Sequence, residues 1–383
     1  MKFLFTANSF SFFKTNGKSW LIVKWVCLVW LVTKLLCYKL WLSDRLFPLV
    51  PVHDSLAALP ASLHLMLLCL SVFCMALFLF YPNKKIIIFL LLAEILSCLL
   101  DQNRWQPWEY QFICMLAAYV LINDENKCRF SWQLIIISLY FFSGLYKCNN
   151  NFIHNVWNRL LLRQVLGVSH IGPWLSRAGY LIPFIEMLAA LALCFTVTRK
   201  PAVWLLIAMH LLNLLLLGPA GAGINSVIWP WNILMPVLLF GIFYNDNLNF
   251  INSILWKPVF TWLLLIGWWI LPWLQLGGYW DKYLSGVLYS GNKEYLYICT
   301  NDTTVRQQLK NSIVTKKKNL PCTDAISVYL WGMMEINTAP YPEARVYKAI
   351  VKAWIKRYHN PLDQFYIYRP GYKIEVKPFV VEE

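Results

Sequence analysis

Through its first three quarters the chain alternates long apolar runs with short polar breaks, and the runs have the length of membrane crossings, about 17–25 residues. Nine are read, near 20–41, 61–81, 86–100, 107–122, 132–147, 179–197, 201–218, 224–244 and 258–276. The third is short and carries Glu94 in its interior. Between the fifth and sixth, "NNNFIHNVWNRLLLRQVLGVSHIGPWLSRAG" predicts a short amphipathic helix with Arg159 and Arg163 one turn apart, a pattern that lies in the membrane interface rather than across it. After residue 277 the pattern changes. "EYLYICT" and "QFYIYRP" alternate like strands, and "PYPEARVYKAIVKAWIKRYHN" predicts a helix from near Pro342. Its apolar face is Val346, Ile350, Trp354 and Tyr358, with Lys348, Lys352 and Lys356 on another side, facing solvent or lipid headgroups. The expected fold is therefore an all-α polytopic membrane bundle over 1–277, followed by a small α+β extramembrane domain over 278–383.

Composition agrees with the pattern. Of 383 residues 59% are hydrophobic and only 14% charged, where an average soluble domain has about 25%. The N-terminus lacks the apolar core and small-residue cleavage site of a signal peptide, so the first span is expected to direct insertion. The net charge of +15 comes without any nucleic-acid motif and is explained by span-flanking cations. With the N-terminus inside, Lys2, Lys14, Lys18, Lys84, Lys85, Lys127, Arg129, Arg199, Lys200 and Lys257 fall on the cytoplasmic side. Arg45, Arg104, Arg159, Arg163 and Arg177 fall opposite, so the bias predicts a cytoplasmic N-terminus and an outer tail. Nine of the eleven cysteines lie in or beside spans without metal-ligand spacing, and no metal is expected. Only Cys299 and Cys322 fall in the polar tail, where an oxidising compartment would permit a disulfide between them; the sequence leaves the pairing open.

Ionisable groups inside a membrane are expensive and are functional candidates by default. On the expected topology Asp101, Arg104, Trp105 and Glu109 lie in the outer loop "LDQNRWQPWEYQ", and Lys147 closes span five on the same side. Glu186 lies about 12 Å into span six, at 1.5 Å per residue. His210 and Asn213 share a face of span seven, and Trp229 and Trp231 open span eight. Taken singly, the tryptophans read as belt anchors, His210 as an interhelical hydrogen-bonder and Lys147 as a snorkelling anchor. Together they converge on the outer half of the bundle and predict a site. His64 and Glu94 read as structural.

These pieces, in this order, resemble the membrane domain of vitamin K-dependent gamma-glutamyl carboxylase and its bacterial relatives, the horizontally transferred transmembrane (HTTM) family. The resemblance covers roughly residues 15–280. It is carried by Leu100, Asp101, Trp105 and Tyr110 in the loop, Ser143, Gly144 and Lys147 at a span end, Glu186 followed by Arg199, the His210–Asn213 pair, and Pro230–Trp231. It implies a membrane enzyme, in a bacterial inner membrane, using a reduced vitamin K-like quinone and acting on a peptide or protein. Lys147 would be the base, desolvated among Phe141, Phe142, Leu145 and Tyr146. His210 and Glu186 would be catalytic, and Asp101, Arg104, Trp105, Asn213 and Trp231 would bind substrate or cofactor. Trp108 stands where that family has a histidine, and the tail is far shorter than the carboxylase's lumenal part. The "QPW" loop is also similar to DoxX-like membrane proteins, which implies a quinone-binding redox module without carboxylation. A non-enzymatic scaffold presenting its tail is the third reading.

Overall fold

The computed structural model describes residues 19–246, 258–309, 313–316, 319–370 and 374–380. Lys2, Lys14, Lys18 and Lys257 of the charge count lie outside them. The helices of the bundle are α1 (Ser19–Leu36), α2 (Ala61–Phe80), α3 (Lys84–Leu100), α4 (Pro107–Leu121), α5 (Glu125–Lys147), α6 (Leu181–Ala192), α7 (Thr196–Leu217), α8 (Trp229–Leu239) and α9 (Val259–Leu265). Seven segments among the described residues are long and apolar enough to cross a membrane: Ser19–Leu36, Ala61–Phe80, Glu125–Lys147, Pro173–Ala192, Thr196–Leu217, Ser226–Tyr244 and Val259–Gly277. Helices α3 and α4 pack among them but are shorter, at 17 and 15 residues.

Capping chemistry sets several ends. Asn83 caps α3 by accepting from the Lys85 amide, and Asp124 caps α5 by accepting from Lys127. Pro107 occupies the first turn of α4, where a missing N–H costs nothing. Helix α5 is the central element, with Cys128 through Tyr140 almost continuously buried. It reads as apolar all round because it is covered on every side. Of the span cysteines, Cys27, Cys37, Cys74, Cys98 and Cys128 are buried as expected, whereas Cys69 is exposed.

The expected interfacial helix takes an unexpected form. Phe152–Val165 winds as a π-helix over 14 residues, ending in a five-residue backbone bond from the Leu166 amide to the Leu161 carbonyl. Such winding is usually a single-turn bulge.

The tail forms a five-stranded antiparallel sheet of β1 (Tyr295–Cys299), β2 (Val314–Thr315), β3 (Ala325–Ser327), β4 (Gln364–Arg369) and β5 (Glu375–Pro378), in the order β2-β3-β1-β4-β5. Both expected strands form, β1 and β4, and they pair with each other through Tyr297 opposite Tyr366. Helices α10 (Val328–Glu335) and α11 (Ala344–Tyr358) cover the sheet, and α11 buries Val346, Ile350 and Trp354 while its three lysines stay exposed. Cys299 and Cys322 form a disulfide, with Cα atoms 5.9 Å apart.

The tail docks on one end of the bundle. Glu335 accepts from the Phe47 amide at 3.0 Å, and Asn103 Oδ1 accepts from the Tyr341 amide at 3.1 Å. Asn149 donates to the Ser290 carbonyl at 3.0 Å, and Asn337 to Ser226 Oγ at 3.0 Å. The polar breaks after α1, α3, α5 and α7 therefore share the tail-bearing end.

Candidate functional site

Helix α5 carries Tyr140, Ser143, Gly144 and Lys147 at spacings of three and four, which place them along one face. Gly144 decides what that face can meet. A Cβ there would lie 2.6 Å from Met187 Cγ and 2.7 Å from the Pro183 carbonyl oxygen, so only glycine lets α6 approach this closely. The approach puts Lys147 Nζ 2.6 Å from Glu186 Oε2, with a second hydrogen bond to Ser143 Oγ at 2.8 Å. Glu186 is almost fully enclosed at 4% exposure, while Lys147 keeps 14%.

Two turns deeper from Lys147 lies a second polar group. Tyr140 Oη and His210 Nε2 are 2.6 Å apart, and His210 Nδ1 is 2.8 Å from Asn232 Oδ1. Asn232 spends its amide on the Ile228 carbonyl, which leaves its oxygen toward the imidazole. The network therefore assigns the proton to Nδ1 and makes Nε2 the acceptor of the Tyr140 hydroxyl, a neutral histidine. Glu186 lies within Coulombic reach of Tyr140, and Lys147 of His210, so the four form one electrostatic unit.

The surroundings of Lys147 differ from expectation. Phe142 and Tyr146 stack with one another, and Phe141 and Phe142 pack on Trp269 and Trp273. The aromatic face of α5 thus turns to the helical segment 266–274 that continues α9, and the amine meets a carboxylate instead of a desolvating shell.

Five other expected site residues stand apart. Asp101 accepts from the amides of Val50 and Asn103, accepts from the Asn103 side chain and pairs with Arg45. In doing so it orients Asn103, the residue that receives the tail's Tyr341. Arg104 is fully buried and donates to the carbonyls of Leu40, Trp41 and Ser97, to Ser97 Oγ and toward His64 Nδ1. Every strong donor on it is used within the fold, so both residues build the loop and the docking surface, not the Lys147 centre. Trp105 is half-buried against the hydrophobic core. Trp231 donates to Gln111 Oε1 at 2.8 Å, inside the bundle. Asn213 is half-buried and makes no hydrogen bond among the described residues; the asparagine that meets His210 is Asn232. Three positions apart, His210 and Asn213 share a helix side, but the face of His210 that is lined with partners turns to α5 and α8.

Sequence reasoning missed a second buried centre. Lys34 Nζ lies 2.8 Å from Glu94 Oε2, at 1% and 0% exposure, and faces the Trp41 ring. Beside it Glu109 accepts from Trp30 Nε1 at 2.7 Å. The Lys34–Glu94 contact is an ion pair without good hydrogen-bond angles, which leaves several buried polar atoms unsatisfied by protein groups. The signal was present in "LVTKLLC", a lysine within an apolar run.

No protein-family model, curated protein or solved structure matches the chain.

Proposed function

We propose that the protein is an integral membrane enzyme that removes a proton from a reduced, vitamin K-like quinone at the Lys147–Glu186 centre, related to the carboxylase-like HTTM proteins it resembles. One observation carries the reading: a Lys–Glu pair at the mouth of a buried polar ladder, open to the surface on the lysine side only. A reduced quinone, when bound, would supply a weakly acidic hydroxyl. The pair fits that group. An ammonium has three donors; two are spent on Glu186 and Ser143, and the third is left for an oxygen outside the helix pair. Glu186 would be the group that accepts the proton at a carboxylate oxygen, and Lys147, 2.6 Å away, would hold its amine beside the oxygen that gives the proton up. Lys147 and Glu186 thus act as one acceptor, and the lysine's part is electrostatic. His210, held neutral between Tyr140 and Asn232, positions Tyr140 on the Lys147 face.

We also place nine crossings, with α3 and α4 among them, the N-terminus in the cytoplasm and the tail outside a bacterial inner membrane. The charge bias, the gathering of alternate polar breaks at the tail-bearing end, and a disulfide of the kind that persists in oxidising compartments support this arrangement. Protease added to right-side-out cells should cut the tail; a tail cut only in inverted vesicles overturns it. The functional reading is tested by mass spectrometry of small molecules retained by detergent-purified protein. A quinone held by the wild type and lost from Glu186→Gln supports it, and wild-type protein free of quinone after purification from quinone-rich membranes contradicts it.

A further inference from the structure

The π-helical segment carries a feature that the Lys147 centre does not use. His154, Asn158, Arg159 and Arg163 line a cleft of about 360 Å³ on its surface. In an α-helix, at 3.6 residues per turn, positions 154 and 163 would be two and a half turns apart and on opposite sides. In a π-helix, whose hydrogen bonds reach five residues, nine residues make close to two full turns, and all four side chains share one face. The rare winding is what assembles the cleft. Geometry of this kind recurs at functional sites because it is retained only where the surroundings enforce it.

Here the surroundings do enforce it. Trp157 lies on Gly179, where a Cβ would come within 2.5 Å of the indole, and its Nε1 donates to the Leu175 carbonyl at 2.8 Å. Asn158 donates to Ser176 Oγ at 2.8 Å. Neither Arg159 nor Arg163 has a carboxylate within ion-pair distance among the described residues. Two guanidinium forks at adjacent positions of one face match the paired oxygens of a phosphate group. Apolar side chains follow directly in the chain that is fastened to this segment: Trp174 is 89% exposed, and Leu175, Leu181 and Phe184 are exposed as well. An arginine-lined cleft flanked by outward-facing tryptophan and leucine has the two-part character of a membrane boundary.

We propose that the cleft is a phosphate-binding site, formed by Arg159 and Arg163 on the π-helical face, and that it receives the headgroup phosphate of an anionic phospholipid. The inference is independent of the quinone reading, since none of its residues belongs to the Lys147 centre.

The test uses delipidated full-length protein in detergent and two probes, dihexanoyl-phosphatidylglycerol and inorganic phosphate, with binding read by native mass spectrometry and by quenching of tryptophan fluorescence. Saturable lipid binding is expected, about tenfold weaker in Arg159→Gln/Arg163→Gln and unchanged in Arg177→Gln, whose charge lies outside the cleft. Should the double glutamine variant fail to fold, Arg159→Lys/Arg163→Lys keeps the charge, loses the forks and is expected to bind more weakly than wild type. Lipid binding that excess inorganic phosphate leaves intact assigns the site to a headgroup; equal binding of phosphate assigns it to the free anion. Absence of saturable binding of either probe, or binding unchanged in every arginine-pair variant that folds, overturns the proposal.

Discussion

Two lysine–glutamate pairs lie inside this bundle, and they are built in opposite ways. Lys34 and Glu94 are sealed at 1% and 0% exposure, beside Glu109 and against Trp41. Lys147 and Glu186 sit at a helix end, with 14% and 4% exposure, and Lys147 has Ser143 as a further acceptor. A sealed pair exchanges protons with nothing outside the fold; its ions are held because removing one would strand the other in a low-dielectric interior. A pair with one side open can pass a proton to a bound molecule. The same two residue types therefore serve cohesion in one place and chemistry in the other, and access separates the roles.

The comparison is broken most severely at the sealed pair. Lys34→Ala or Glu94→Ala should cost about 3–5 kcal/mol, because each leaves a buried charge unpaired. Replacing both at once, Lys34→Met with Glu94→Leu, should recover most of that loss. Thermal unfolding in detergent measures it, and a double variant no better than the singles would contradict the sealed-pair account. Next in size is the tail. Reducing Cys299–Cys322, which closes a loop of 23 residues, should destabilise the tail by about 3 kcal/mol and leave the bundle's helix content unchanged. Far-ultraviolet circular dichroism together with proteolysis of the tail distinguishes the two effects.

At the open pair, Lys147→Met should cost less than either single change at the sealed pair, since the amine keeps 14% exposure and water can reach the place it leaves. A melting shift as large as that of Lys34→Ala would make the two pairs equivalent and remove the distinction. The smallest effect is expected outside the membrane at Glu343, whose carboxyl is raised above its ordinary value, chiefly by burial. The folded state then binds that proton more tightly than the unfolded state. Its contribution favours folding at low pH and is lost as pH rises from the ordinary glutamate value through the raised one. Glu343→Gln should flatten tail stability across that window, read from pH-dependent proteolysis; an unchanged slope would rule the contribution out.

The bundle was legible because membrane crossings write themselves as apolar length. Even the weakest of the nine runs, with Glu94 inside it, forms helix α3. Lys147, Glu186 and His210 were legible as ionisable residues in apolar surroundings, and the structure brings them together. Their actual partners were not. Tyr140 lies seven positions before Lys147 on a face that only the α6 approach reveals, and Asn232 outcompetes Asn213 because α8, not the outer surface, faces His210. The partners of Asp101 and Arg104 were not legible, for a general reason. Charge in a loop marks importance without telling ligand binding from loop building, and here their donors and acceptors are consumed by Val50, Asn103, Leu40, Trp41 and Ser97. The π winding of 152–165 could not be read at all, because amphipathic periodicity in so short a segment does not separate 3.6 residues per turn from a wider helix.

The central claim is that the open pair is a proton acceptor, and quinone-dependent oxygen uptake against pH tests it most directly. Wild type, Lys147→Met and Glu186→Gln are compared with reduced quinone supplied. Activity should be lost in Glu186→Gln, which cannot take the proton. Lys147→Met should retain a residue of activity, because the accepting carboxylate is still present but has lost the ammonium 2.6 Å away. Equal rates in all three proteins across the pH range would contradict the account and return Lys147 to the role of an anchor at the membrane surface.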